Sequence, residues 1–84
     1  MIKIVSTEVD CPSKRSDALS LDGSSAVRAV NLSHNHASIF VVTANGDEKS
    51  MTIPPNDVVI LKKKTSDMVY ASSDTIRISG VSIY

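Results

Sequence analysis

An all-β fold, a small antiparallel β-sandwich or barrel of seven to eight short strands, is predicted by two features of the 84-residue chain. Val, Ile and Thr recur in short runs, and turn residues break those runs about every ten residues, the spacing of sandwiches and small barrels. No run leaves room for a helix of useful length. One domain covering 1-84 is expected, and a chain of this size buries only about 60–65% of its unfolded surface on folding. Further support is needed. A single cysteine, Cys11, excludes an intrachain disulfide, and soft metal donors are confined to Cys11, His34 and His36. Association with copies of itself or with a larger assembly is the remaining route.

The elements follow in order. Ile2 to Val9 mixes β-branched and polar residues and stops at Asp10-Cys11-Pro12, which predicts a first strand at a sheet edge. Residues 13-25 form a long polar loop, with a short strand at Ala18 to Leu21. Ala26 to Leu32 is the next strand, closed by Ser33-His34-Asn35-His36. Ile39 to Thr43 is nearly all apolar, the pattern of a central strand buried on both faces. Asn45-Gly46 tolerates positive φ and predicts a two-residue hairpin into Lys49 to Ile53, which Pro54-Pro55 ends because proline cannot donate to a ladder. Val58 to Lys63 is a further strand. Turns at Thr65-Ser66-Asp67 and Ser72-Ser73-Asp74 bracket the strand Met68 to Ala71. Thr75 to Tyr84 closes the chain, and the change of apolar phase between Ile76/Ile78 and Val81/Ile83 predicts a β-bulge at Gly80.

Nine Lys plus Arg balance nine Asp plus Glu, which argues against an electrostatic nucleic-acid-binding role. Phe40, Tyr70 and Tyr84 are too few and too scattered to make a base-stacking platform. The Lys62-Lys63-Lys64 run reads as a solvated strand end that protects an edge. No stretch is long and apolar enough for a membrane span or a signal-peptide core, so the expectation is a soluble protein of a reducing cytoplasm, with no membrane partner and a chance sequon at Asn31-Leu32-Ser33.

Candidate chemistry is sparse. His34 and His36 are two apart, so in an extended segment they point the same way and suit two metal ligands. A site needs a third and usually a fourth donor, and the nearest in sequence are Asp47 and Glu48 across a hairpin. A solvated histidine pair in a turn is the expectation. Cys11 sits between Asp10 and Pro12, and a neighbouring carboxylate raises a thiol pKa, which makes a poor nucleophile. No nucleophile elbow, phosphate loop or close carboxylate pair is present, and a chain this short leaves little room for a pocket of ~300 Å³. The expectation is therefore no enzyme, with no catalytic, cofactor-binding or metal residues.

Five stretches carry a resemblance: Val27-Arg28-Ala29-Val30-Asn31, Met51-Thr52-Ile53-Pro54, Val58-Val59-Ile60-Leu61-Lys62, Ser66 to Ser72, and Val81-Ser82-Ile83-Tyr84. Together they resemble small uncharacterised β-rich proteins of marine tailed bacteriophages, notably cyanophages. The resemblance covers residues 26 to 84 and brings no functional residue with it. It implies a sandwich or barrel and a minor virion component, such as a head decoration or tail accessory. The combined expectation is a phage structural or accessory protein that binds protein surfaces, located in the virion or the host cytoplasm. Its rivals are a host-directed phage protein or a small ligand- or carbohydrate-binding module, and after these a catalytic metal module. Homo-oligomers are expected to form through the first and last strands, since terminal strands often lie at sheet edges.

Overall fold

Alternation of inward and outward side chains builds two antiparallel sheets. The computed structural model describes residues 2–73 and 75–83, Ile83 by its backbone alone. Asp74 and Tyr84, expected in a turn and at the end of the last strand, lie outside the described residues, as does the Ile83 side chain. In chain order the strands are β1 (Ile2–Ile4), β2 (Val9–Asp10), β3 (Ala26–Asn31), β4 (Ala37–Val42), β5 (Glu48–Ile53), β6 (Val58–Lys62), β7 (Met68–Ala71) and β8 (Ile76–Ile83). One sheet has the order β1-β8-β3-β6, with β2 also on β8, and the other the order β5-β4-β7. Two separate sheets make this a sandwich and not a barrel.

The sheets share one core. Val27 and Ala29 of β3 and Ile76 and Ile78 of β8 come from one face, and Ala37, Ile39, Ile53, Val69 and Ala71 from the other. All are buried, and each Val or Ile so placed contributes about 1.5–3 kcal/mol. The two flanks between the sheets differ. On one, the segment after β2 crosses from sheet to sheet: Cys11 N–H donates to Ile76 O (2.7 Å), Ala71 N–H to Pro12 O (2.9 Å), and Leu19 and Val69 exchange backbone bonds of 3.0 and 2.9 Å. This strap closes the flank. On the other flank β5 and β6 are both edge strands, tied at one end by the turn that joins them and by Asn31 Nδ2, which donates to Ile53 O (3.0 Å).

Several expectations change. The predicted strand at Ala18 to Leu21 is reduced to a single bridge at Leu19, after a 3-10 turn at Arg15–Asp17. β4 is central, as predicted, but only Ala37 and Ile39 on its inner face are fully buried, while Phe40 and Val42 on its outer face are half-buried. The Asn45-Gly46 hairpin forms with a three-residue loop. Gly46 N–H donates to Thr43 O (2.9 Å), Thr43 N–H to Asp47 O (2.8 Å), and the positive φ falls on Gly46 alone, at 88°. That is a type I turn followed by a left-handed glycine, one residue longer than the two-residue turn expected.

The last strand is corrected twice. β8 lies inside its sheet, paired with β3 on one side and with β1 and β2 on the other, so it offers no edge. Its register against β3 runs unbroken from Ile76 to Val81, so the predicted bulge at Gly80 is absent. The irregularity sits in the first strand instead. Between the pairs Ile4↔Val81 and Val9↔Ile78, residues 5–8 stand opposite only residues 79 and 80. Val5 and Ser6 N–H both donate to Gly80 O, and Gly80 N–H donates to Ser6 Oγ at 2.7 Å. Gly80 is glycine for lack of space: a Cβ there would lie 2.7 Å from both Leu21 O and Ser24 Oγ.

Two substitutions check these local readings by chemical denaturation. Gly46→Val is expected to cost about 1–3 kcal/mol, because a β-branched residue resists positive φ. An unchanged midpoint would place the turn elsewhere. Gly80→Ala is expected to cost about 1–3 kcal/mol by overpacking against the Leu21–Ser24 backbone, whereas a glycine kept for a bulge in open space would accept alanine.

Candidate functional site

The open flank holds a concavity lined by β4, β5, β6 and the turn after β6. β5 and β6 are joined by Pro54-Pro55-Asn56-Asp57, a tight turn with Asn56 at φ 58° and Asp57 N–H donating to Pro54 O. Proline followed by a residue at positive φ is the pattern of a type II turn. The two edges therefore start together at Ile53 and Val58 and diverge toward their far ends. The gap is a cleft of about 590 Å³. Its floor is Ile39 and Val41 of β4, Met51 of β5 and Leu61 of β6, and its mouth carries Lys49, Lys62, Lys63 and Lys64. The expectation that so short a chain has little room for a pocket is overturned. An apolar floor with a few convergent polar groups is the usual make-up of a ligand cleft.

Lys63 and Asp67 form the base of the mouth, and both are buried. Lys63 Nζ donates to Asp67 O (3.0 Å) and Lys64 O (3.2 Å), and Asp67 Oδ2 accepts the Lys64 N–H (3.0 Å). Burial holds the Lys63 ammonium below its ordinary pKa, partly offset by the Asp67 carboxylate. Asp67 Oδ1 is buried with no hydrogen-bond partner among the described residues. Lys49, Lys62 and Lys64 are exposed, and among the described residues none of these four lysines enters an ion pair. The reading of Lys62-Lys63-Lys64 as a wholly solvated end is thus corrected at its middle residue, which folds inward to satisfy a turn.

The other singled-out residues are placed apart. His34 and His36 are exposed in the turn before β4, while Asp47 and Glu48 lie at the opposite end of the β4–β5 hairpin. Ala37 pairs with Ile53 and Val42 with Glu48, so the histidines and the carboxylates are separated by five residues of strand, about 17 Å. No group of three or more metal-ligating side chains forms among the described residues. Phe40 and Tyr70, scattered in sequence, meet on the outer face of the three-stranded sheet as a stacked pair with ring centres 4.7 Å apart. The Tyr70 hydroxyl donates to Glu48 Oε1, which raises its pKa. Cys11 is 1% exposed in the core, and burial, rather than the neighbouring Asp10, pushes its thiol up to about 12.

Sequence reading missed Lys49 and Met51 as site residues. The signal was there: Lys49, Met51 and Ile53 alternate with Glu48, Ser50 and Thr52, so a lysine stands on the same inward face as a core isoleucine. A charge on that face marks a place where the sandwich does not close. No helix among the described residues is long and apolar enough to cross a membrane. No protein-family model, curated protein or solved structure matches the chain.

The thiol provides a check on the core. Cys11 is expected to resist an aromatic disulfide reagent in the native state and to react once guanidinium unfolds the chain. Because its folded pKa lies above the ordinary 9.0, the unfolded state releases the proton first, so stability falls as pH rises from about 9 to about 12. Cys11→Val removes that component of the alkaline loss. Rapid native labelling at neutral pH would show that Cys11 is not in the core.

Proposed function

We propose that this chain is a non-enzymatic phage structural or accessory protein that binds protein surfaces, in the virion or the host cytoplasm, as a homo-oligomer or docked on a larger assembly. One observation carries the reading. β6 is an edge strand of sequence Val-Val-Ile-Leu-Lys, and its only charge is at its end. Lys63 N–H bonds Ser25 O and Asn31 N–H bonds Asp57 O, so with the antiparallel register of β3 and β6 the odd-numbered residues face β3. Ile60 and Lys62 then turn their N–H and C=O groups outward, while the Val58 N–H on the same side is held by Asp57 Oδ1 (2.8 Å). Val58 and Ile60 are also 42% and 41% exposed on the outer face of the sheet. An apolar edge without an internal charge is a template for another strand.

The surface differs from the one the sequence suggested. The last strand is interior, and the first is an edge of only three residues before its bulge. A second copy laid antiparallel along β6, with Ile60 at the twofold axis, joins the two larger sheets into one and covers Val58 and Ile60. Closed twofold association is the commonest arrangement for such a contact. The resemblance to small tailed-phage proteins supports the same reading.

Ile60→Pro separates association from folding. Its N–H points away from β3, so proline leaves the ladder intact and removes the outward donor. Light scattering at micromolar concentration is expected to show an oligomer for the native sequence and a monomer of unchanged circular dichroism for the variant. A native chain that stays monomeric, and recovers no partner from virions or infected-cell extracts, overturns the reading.

A further inference from the structure

We propose that the cleft between β5 and β6 binds a small amphipathic anion, an apolar body carrying a carboxylate, sulfate or phosphate head. The argument begins with charge. The chain as a whole is neutral, yet four of its six lysines line this one cleft, and Asp67 is the only acid among its lining residues. Neutral overall composition therefore conceals a local cationic site. Three of those lysines are exposed and free of ion pairs among the described residues, so each keeps its charge available to an incoming anion.

Shape gives the second half of the argument. The floor of Ile39, Val41, Met51 and Leu61 belongs to the inner faces of the two sheets, where side chains are normally covered by the opposite sheet. Ile39 is covered in the core, but the divergence of β5 from β6 leaves Val41 and Leu61 half-buried and Met51 41% exposed at the opening. An apolar body of about the cleft's 590 Å³ or less takes the place of the missing cover and releases water from that surface. The head then lies at the mouth among Lys49, Lys62 and Lys64. A bare phosphate leaves the floor wet, and an uncharged apolar molecule leaves the lysines unused. Only a molecule with both parts matches both features.

The site meets the association edge at Lys62 alone, since its other residues from β6 and the following turn are Leu61, Lys63, Lys64 and Asp67, while Val58 and Ile60 face the outer side of the sheet. The test therefore compares the native chain with a monomeric form. Decanoate at concentrations where it is monomeric is titrated into the native chain and into the monomeric Ile60→Pro form, with amide chemical shifts as the readout. Saturable shifts at Ile39, Val41, Met51 and Leu61 are expected in both. Lys49→Glu with Lys64→Glu, both at exposed positions, is expected to weaken binding about tenfold or more, and decyltrimethylammonium, with the same tail and the opposite charge, is expected not to bind.

A flotation arm with phosphatidylglycerol vesicles distinguishes the source of the anion. Lysine-dependent flotation assigns the head to a bilayer lipid, and decanoate binding without flotation assigns it to a free anion. Either result supports the shared chemistry. Absence of saturable shifts together with absence of flotation overturns the proposal, as does equal binding of the cationic amphiphile or shifts confined to another surface.

Discussion

The buried side chain of Asn31 is the constraint around which the two sheets are arranged. It is 0% exposed at the end of β3. Its Nδ2 donates to Asn35 O (2.9 Å) and to Ile53 O (3.0 Å), and its Oδ1 accepts the Ser33 N–H (3.0 Å). Its backbone donates to Asp57 O and accepts from Asn56 N–H. One residue of the larger sheet therefore holds the end of β5 in the smaller sheet, the turn before β4 and the turn before β6. Burying an amide without partners costs several kcal/mol, and here each donor and acceptor is used. That corner is fixed, and everything beyond it on the same flank is free to diverge.

The opposite flank needs a different solution, since the edges of β2 and β7 belong to different sheets and do not pair. The strap supplies it at some conformational cost. Leu21, Asp22 and Gly23 all have positive φ, a left-handed turn in which only the glycine is at ease. Leu21 accepts this because its side chain enters the core, and its carbonyl packs where only glycine fits at position 80. Arg15, in the 3-10 turn of the strap, reaches the other sheet and donates to Gly46 O at 2.8 Å, tying the hairpin loop down. On the outer face Glu8 meets both Arg28 and Arg77, and Asp10 meets Arg77, which orients the bulged first strand although each exposed pair is worth little alone.

How much of this the sequence made legible follows from the range of the interactions. Fold class, strand positions within a few residues and the location of the β4–β5 turn are set by side-chain alternation and by residues such as Asn45-Gly46 and Pro54-Pro55, which act on their neighbours. Edges and flanks are set by pairing across long separations. The last strand reads like an edge because it is terminal, yet β1, β2 and β3 all claim it. Gly80 reads as a bulge because the apolar phase changes there, yet the phase changes because Val81, paired with Ala26, is buried on the outer face of the sheet. The cleft was the least legible part, since Met51 and Leu61 come together only through the divergence of two strands. Lys49 was its one local sign.

The unequal flanks also explain how charge is arranged on a chain of zero formal charge. Arginine is used where a planar fork can span carboxylates or reach a carbonyl, as at Arg77 between Glu8 and Asp10 and at Arg15 on Gly46. Lysine gathers at the open flank, where Lys49, Lys62 and Lys64 are exposed and Lys63 turns inward onto the Lys64 and Asp67 carbonyls. The diverging ends of β5 and β6 therefore carry charge, while the centre of β6 carries none. A chain that is neutral as a whole thus carries one locally cationic flank, with Asp67 the only acid among the residues that line it.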